Sequence, residues 1–151
     1  MEMDLMGRKY GEYFIDGSFH HEVKLMENGH ILCAASGQGK STINDRIVEL
    51  DPDTGDVVRE WNIDEILTQY GVDLLADPVW GYVPLSTEDG SEFNANWFHN
   101  NCIFYNDKDD SFILSSRHRS MVIKINASTQ EVIWVLGDHA LLEDTGLEPY
   151  L

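Results

Sequence analysis

The feature that most constrains the fold of this chain is an internal repeat. Residues 47–58 correspond to residues 122–133, and each segment holds a short turn between two apolar runs. Residues 19–23 likewise correspond to residues 98–102, and both segments begin with phenylalanine followed by histidine. The two pairs of segments are offset by 75 and 79 residues, so the copies differ only by small insertions. Such self-similarity predicts one supersecondary unit that is used more than once.

Each copy contains four strand-like runs joined by polar turns. Asn28-Gly29 is a strong signal for a tight hairpin, and residues 51–55 combine the aspartate, proline and glycine typical of a turn. We therefore predict four antiparallel strands in each copy. Their expected bounds are 22–26, 31–35, 46–50 and 56–61 in the first copy, and 101–105, 111–116, 121–125 and 131–136 in the second.

The repeat favours an all-β fold made of β-propeller blades, because propellers join four-stranded antiparallel sheets in series. A β-sandwich is the alternative all-β fold, but it does not predict the repeat. The 151 residues are expected to form a single partial propeller, with blade-like repeats at about 19–61 and 98–136. Propellers close a ring of about 4–8 blades, so two blades leave edges unpaired. We expect either a homo-oligomer or further blades, and the tail at 141–151 favours a fragment.

An insertion at about 62–96 separates the two copies. Its first part predicts a short helix, with Asn62 as the N-cap, Glu65 at the capping-box position and Gly71 at the end. The remainder is irregular and contains Trp80, Tyr82 and Phe93, so it is expected to wall a pocket or to pack down as a loop. The sequence does not decide between these two roles.

Charge and composition exclude several functions. Lys+Arg 10 against Asp+Glu 27 gives a net charge of −17, which argues against nucleic acid or an anionic membrane as partner. No run approaches the ~20 apolar residues of a membrane span, and residues 1–6 lack a signal-peptide pattern. Localisation therefore stays open. Cys33 and Cys102 lie in apolar runs and are expected to be buried thiols, which would pair only if the fold brings them together.

Two motif-like segments predict no cofactor. Residues 34–42 end like a phosphate-binding loop, but Ala34 stands where the motif requires glycine and no helix follows. Residues 51–56 resemble the first half of a calcium loop, but Asn62 occupies the twelfth position, where glutamate is required. We therefore expect neither a nucleotide nor a metal.

Histidine and arginine residues supply the candidate site. His20 or His21 in the first copy matches His99 in the second, at the start of the innermost strand, where a propeller presents side chains to its channel. Asn101 follows His99 by two residues and is expected on the same face. Arg117 ends the neighbouring strand, and its planar guanidinium suits the oxygens of sulfate, phosphate or carboxylate. His30 is expected to be exposed, and His118 to point to the opposite face.

These residues and their surroundings resemble the bacterial arylsulfotransferases, the arylsulfate sulfotransferases that need no adenosine-phosphosulfate donor. The resemblance covers residues 19–139 and rests on an ordered set of segments: His20-His21-Glu22 with Asn28-Gly29, Trp97 to Asn101, Ser115-Ser116-Arg117, residues 129–134 and Leu136-Gly137-Asp138-His139. It implies a six-bladed propeller with a central active site. It also implies that His99 and Arg117 contact a sulfuryl group in the active site. His20 or His21 is implied to contribute to the same site from the preceding blade, and Asn101 to support these residues.

The implied reaction transfers a sulfuryl group from a phenol sulfate to another phenol through a covalent sulfohistidine, without a cofactor. In this family the nucleophilic histidine lies in a later blade, so we expect this chain to lack it and to be inactive alone. The competing hypothesis is a non-catalytic propeller module that binds small anions or carbohydrate through the same site.

Overall fold

The structure is a computed structural model that describes residues 1–36, 45–72, 82–84 and 93–151. It is built almost entirely from antiparallel strands. In chain order the elements are β1 (Glu2–Met3), β2 (Lys9–Gly11), β3 (Ser18–Leu25), β4 (Ile31–Ser36), β5 (Arg46–Leu50), β6 (Val57–Asn62), helix α1 (Ile63–Thr68), β7 (Tyr82–Pro84), β8 (Phe93–Ala95), β9 (Asn100–Asn106), β10 (Ser111–Ser116), β11 (Met121–Asn126), β12 (Val132–Gly137) and two short 3₁₀ helices, His139–Leu141 and Glu148–Tyr150.

Two four-stranded sheets carry most of these strands. In the first blade the order is β3-β4-β5-β6, and in the second it is β9-β10-β11-β12, so each sheet follows the chain as a meander. All neighbouring strands are antiparallel. The hairpin at Asn28-Gly29 forms as predicted, with Gly29 at a φ of 87°. The predicted all-β fold of four-stranded sheets with one short helix is confirmed, and the strand bounds differ from the predicted ones by a few residues at most.

The two blades share one hydrophobic core. Leu32, Ala34 and Ile47 of the first blade belong to the same buried cluster as Phe112, Leu114 and Ile123 of the second. Strand alternation explains this arrangement, since every second residue of β4 and β10 faces the other blade. The edge strands β3 and β9 lie side by side. That placement brings the first residues of both inner strands together.

Trp61, at the end of β6, joins the blades. Its side chain is 2% exposed, and its indole Nε1–H donates a hydrogen bond to the carbonyl oxygen of Ala127 at 2.7 Å. The ring also meets the edge of Phe112, with centroids 4.6 Å apart. A single side chain of the first blade is therefore held by both polar and apolar contacts to the second.

Helix α1 and the end of the chain cover one side of the core. Asn62 is the N-cap as predicted, but its side chain makes no capping hydrogen bond, so the predicted capping box is wrong. Gly71 has a φ of 70°, the left-handed geometry expected after a helix. The backbone N–H of Gly146 donates to the Tyr70 carbonyl oxygen at 2.6 Å and so holds the tail against this turn.

Part of the insertion is regular. Strands β7 and β8 pair as a two-stranded sheet, so the prediction of a wholly irregular insertion is wrong for these six residues. Residues 73–81 and 85–92, with Trp80, lie outside the described residues. Residues 37–44 also lie outside the described residues, and they include most of the segment at 34–42 that resembles a phosphate-binding loop. No helix in the described parts of the chain is long and apolar enough to cross a membrane.

The cysteines do not pair. Cys33 is buried as predicted, but Cys102 is exposed and both thiols are free. Cys102 was predicted to be buried, and its exposure follows from the position of β9 at the edge of the second blade. The residues on the other face of β4 and β5, Cys33 among them, pack instead against Tyr13 and Ile15 of the N-terminal segment.

His30 is half-buried, which contradicts its predicted exposure, because it binds a buried carboxylate. Its Nδ1 lies 2.6 Å from Oε1 of Glu49, whose side chain is 2% exposed. Arg59 donates to the other oxygen at 2.5 Å, and Asn28 donates to the first at 3.2 Å. Burial by itself would raise the pKa of Glu49, but these hydrogen bonds outweigh it and lower that pKa.

Replacing this carboxylate should therefore change stability in a defined pH range. Because the pKa of Glu49 is lower in the folded state, its contribution is complete above the unfolded value of about 4.5 and is lost as the pH falls below it. We expect Glu49→Gln to lower the free energy of unfolding by about 1–3 kcal/mol at pH 7. Urea denaturation at pH 7 and below pH 4 measures this. An equal loss at both values would contradict it, and Glu65→Gln on the exposed side of α1 is the matched control.

Candidate active site

Four histidine rings meet where the inner strands of the two blades begin. The Nε2 atoms of His21 and His99 lie 3.2 Å apart. The ring centroid of His20 lies 3.9 Å from that of His21 and 4.8 Å from that of His99. The ring of His118 lies 4.9 Å from that of His99. The pairing of a histidine from each copy, predicted from the repeat, brings both His20 and His21 to His99.

An irregular backbone aims these side chains. His21 and His99 both have a φ of 54°, a left-handed geometry that is uncommon outside glycine. Each lies where its strand departs from regular pairing: the register shifts between Phe19 and Val23 in β3 and between Asn100 and Cys102 in β9. Bulges of this kind re-aim side chains and are common beside active sites. By backbone geometry, His21 is therefore the counterpart of His99.

The residues before His99 are firmly anchored. Phe98 is fully buried in the shared core. The Nε1–H of buried Trp97 donates to Oδ2 of Asp45 at 2.5 Å. The His99 side chain is itself only 8% exposed. Anchored neighbours on both the core side and the first-blade side fix the ring against the other histidines.

Arg117 and His118 lie in the turn that follows β10. The Arg117 backbone N–H donates to the His99 carbonyl oxygen at 3.1 Å, and the His118 N–H donates to that of Phe98 at 3.4 Å. The Arg117 side chain is exposed at the rim of the cluster. Alternation predicted that His118 faces away from Arg117, but alternation ends with the strand at Ser116, and the His118 ring packs against that of His99.

Three asparagines differ in their relation to the cluster. Asn101 is exposed and lies at the register shift of β9. Asn100 is fully buried, and its Oδ1 and Nδ2 have no hydrogen-bond partner among the described residues. Asn96 binds His99, with Oδ1 3.1 Å and Nδ2 2.8 Å from Nδ1. Neither Asn96 nor Asn100 was among the predicted site residues.

The cluster favours uncharged imidazoles. Burial, together with the neighbouring charges of His20, His118, His21 and Arg117, lowers the pKa of His99 to about 4. Burial also lowers the pKa of His20 to about 4, with a contribution from His21. These shifts keep the ring nitrogens available as lone-pair donors at neutral pH.

The site combines lone pairs with nearby positive charge. One ring nitrogen from each of His20, His21 and His99 lies within 4.8 Å of the others. Arg117 adds a planar donor suited to a tetrahedral oxyanion. The buried Nε2 of His20 has no hydrogen-bond partner among the described residues. Polar groups without partners at a rim open to solvent are what a small polar ligand requires.

Comparison with known proteins identifies the family. A model of the family described as Arylsulfotransferase (ASST) matches residues 1–151. The chain belongs to the arylsulfotransferase family. An arylsulfate sulfotransferase of Lelliottia amnigena is 30% identical over 89% of this chain, and one of Escherichia coli O6:H1 is 32% identical over the same share. In each case the chain spans 27% of the length of the relative.

Proposed function

We propose that this arylsulfotransferase segment binds the sulfuryl group of a phenol sulfate and takes part in its transfer to a second phenol. The observation that carries the proposal is the meeting of His20, His21, His99 and His118 with Arg117 at the inner strands. A net charge of −17 repels anions over the molecule as a whole. Only a local group such as Arg117 offsets that repulsion.

In the proposed reaction the bound sulfuryl group passes through a covalent sulfohistidine. A neutral imidazole nitrogen forms a bond to sulfur while the sulfur–oxygen bond to the donor phenol breaks, and the phenolate leaves with a proton. The hydroxyl of the second phenol then attacks sulfur, gives up its proton to a base, and releases the histidine. Arg117 and imidazole N–H groups stabilise the sulfuryl oxygens while charge develops on them.

His99 is better suited to holding the sulfuryl group than to attacking it. Its Nδ1 is held by Asn96 and its Nε2 by His21, so both of its ring nitrogens are engaged. We therefore assign the attacking nitrogen to a histidine outside this cluster, in the remaining length of the longer relatives. On this assignment the 151 residues alone bind aryl sulfate and release little or no phenol.

Anion binding would also change proton affinity in the cluster. The low pKa of His99 arises from burial and from neighbouring charges of the same sign. A sulfate ester beside the ring reverses the second effect, because an opposite charge favours the protonated imidazole. The same rings are therefore neutral when the site is free and become proton donors for the leaving phenolate when it is filled.

The proposal is tested by titrating the chain with 4-nitrophenyl sulfate while the imidazole signals are followed by nuclear magnetic resonance. We expect saturable shifts at the four clustered histidines. Arg117→Gln should weaken binding roughly tenfold or more, because it removes a charge-assisted contact. His99→Asn should also weaken binding, because it removes an imidazole from the site. Asparagine tolerates the left-handed backbone at this position, so the fold should be kept. Arg8→Gln, at an exposed arginine in the N-terminal turn, is the control.

Two outcomes would overturn this function. If the clustered histidines do not respond to 4-nitrophenyl sulfate, the site does not bind aryl sulfates. If inorganic sulfate binds as tightly as the ester, the anion-binding module is the better description. Release of 4-nitrophenolate in the presence of excess phenol, lost in His99→Asn, would contradict only the assignment of the nucleophile to another segment.

A further inference from the structure

Two of the clustered imidazoles have the nitrogen spacing of a transition-metal site, and a third lies close to them. Zinc binds histidine nitrogen at about 2.0–2.1 Å in a tetrahedral arrangement, so two such nitrogens lie roughly 3.3 Å apart. The Nε2 atoms of His21 and His99 are separated by 3.2 Å. A ring nitrogen of His20 completes a set in which all three ligand atoms lie within 4.8 Å of one another. From this geometry we propose that His20, His21 and His99 bind one Zn²⁺ ion, which blocks the site to sulfate esters.

A neighbouring asparagine orients one of these ligands. Metal-bound histidines commonly donate their second ring N–H to an oxygen that fixes the ring and its tautomer. The Oδ1 of Asn96 lies 3.1 Å from Nδ1 of His99 and supplies such an acceptor. In the tautomer in which Nδ1 carries the proton, that bond leaves the Nε2 of His99 unprotonated and directed at His21. The ring of His99 is thus already held in the orientation that a metal requires.

Zinc replaces an existing proton contact. With Nε2 of His99 unprotonated, the 3.2 Å contact is a hydrogen bond donated by Nε2 of His21. Zinc binding moves that proton to the Nδ1 of His21, which is an exposed residue, and the protein releases no net proton. The Nε2 of His20 is buried and has no competing hydrogen bond among the described residues. Three protein ligands leave the fourth position of zinc open to water.

Charge affects the binding of zinc and of the sulfate ester in opposite ways. The strongly acidic chain attracts divalent cations, whereas Arg117 repels a metal ion and attracts a sulfate ester. Arg117 is exposed, so solvent screens its repulsion. Zinc binding itself does not rest on the proposed function. Only its competition with the sulfate ester does.

The test is calorimetric titration of ZnCl₂ into the chelator-treated chain. We expect one ion per chain, with binding weakened at least about tenfold in His21→Asn and in His99→Asn. Asparagine keeps the left-handed backbone at both positions accessible, and circular dichroism checks the fold of each variant. His139→Asn, at an exposed histidine outside the cluster, should bind zinc as the unmodified chain does. Equal affinity in all four proteins, or no saturable binding, would overturn the proposal.

A second variant separates this proposal from the proposed function. Arg117→Gln should weaken 4-nitrophenyl sulfate binding but leave zinc affinity unchanged or increased. Saturating zinc should abolish the response of the clustered histidines to the ester in the unmodified chain. If the unmodified chain binds the ester but not zinc, only the proposed metal site is overturned. If it binds zinc but not the ester, the proposed function is overturned and the metal site stands.

Discussion

Replacing Trp61 with alanine should lower the free energy of unfolding by about 3–5 kcal/mol, the range for removing a large buried aromatic side chain. The side chain is 2% exposed and contacts the second blade through Ala127 and Phe112. Small domains are stable by only about 5–15 kcal/mol. The loss therefore removes a large part of the total, and we expect a marked decrease in the urea midpoint.

Two further variants divide this effect into its parts. Trp61→Phe keeps most of the ring but leaves the Ala127 carbonyl oxygen without its donor, which costs about 1–3 kcal/mol. Trp134→Ala removes a tryptophan of β12 that is only half-buried, so it should cost less than Trp61→Ala. A Trp61→Ala chain as stable as the unmodified one would show that the blades do not depend on this contact.

Loss of the Trp61 contact should also disturb the histidine cluster. His20 and His21 belong to the first blade, and His99 and His118 to the second. The 3.2 Å between the Nε2 atoms of His21 and His99, and the 4.8 Å between the ring centroids of His20 and His99, therefore depend on how the blades pack. Loosening the shared core separates the rings before either sheet unfolds. In Trp61→Ala, zinc and 4-nitrophenyl sulfate should therefore bind more weakly even at urea concentrations where strand signals persist.

Local sequence signals predicted the sheets because each signal acts over a few residues. The glycine at Asn28-Gly29 and the alternation along 111–116 fix a turn and a strand without reference to the rest of the chain. The repeat then related the two sheets and placed His20 or His21 near His99. The short helix after Asn62 was also predicted, although its capping bond was not formed.

The details of the site depended on contacts that are distant in sequence. The register shifts in β3 and β9 decide which side chains reach the cluster, and they arise from strand pairing. His118 lies in the turn after β10, where strand alternation no longer applies. His30 was predicted to be exposed because its partner Glu49 is 19 residues away. The sequence pattern of one segment does not show which distant residues its side chains will contact.

Acidification gives the second large effect, because the clustered histidines are held neutral. The pKa of both His20 and His99 is about 4 in the folded chain and about 6.5 in the unfolded chain. Above pH 6.5 neither state binds these protons, so stability is greatest there. As the pH falls from 6.5 towards 4, the unfolded state binds protons first and stability is lost. The slope approaches about 1.4 kcal/mol per pH unit for each histidine, and is smaller for half-exposed His20.

This pH dependence should be attributable to single residues. His99→Asn removes one buried imidazole, so the decrease in unfolding free energy between pH 6.5 and 4.5 should become shallower. His139→Asn removes an exposed histidine and should leave the slope unchanged. Glu49→Gln should change the curve mainly below pH 4.5, where its carboxylate takes up a proton. Urea denaturation from pH 6.5 to below pH 4.5 measures the stability of all three variants. An unchanged slope in His99→Asn would contradict the lowered pKa of this ring in the folded chain.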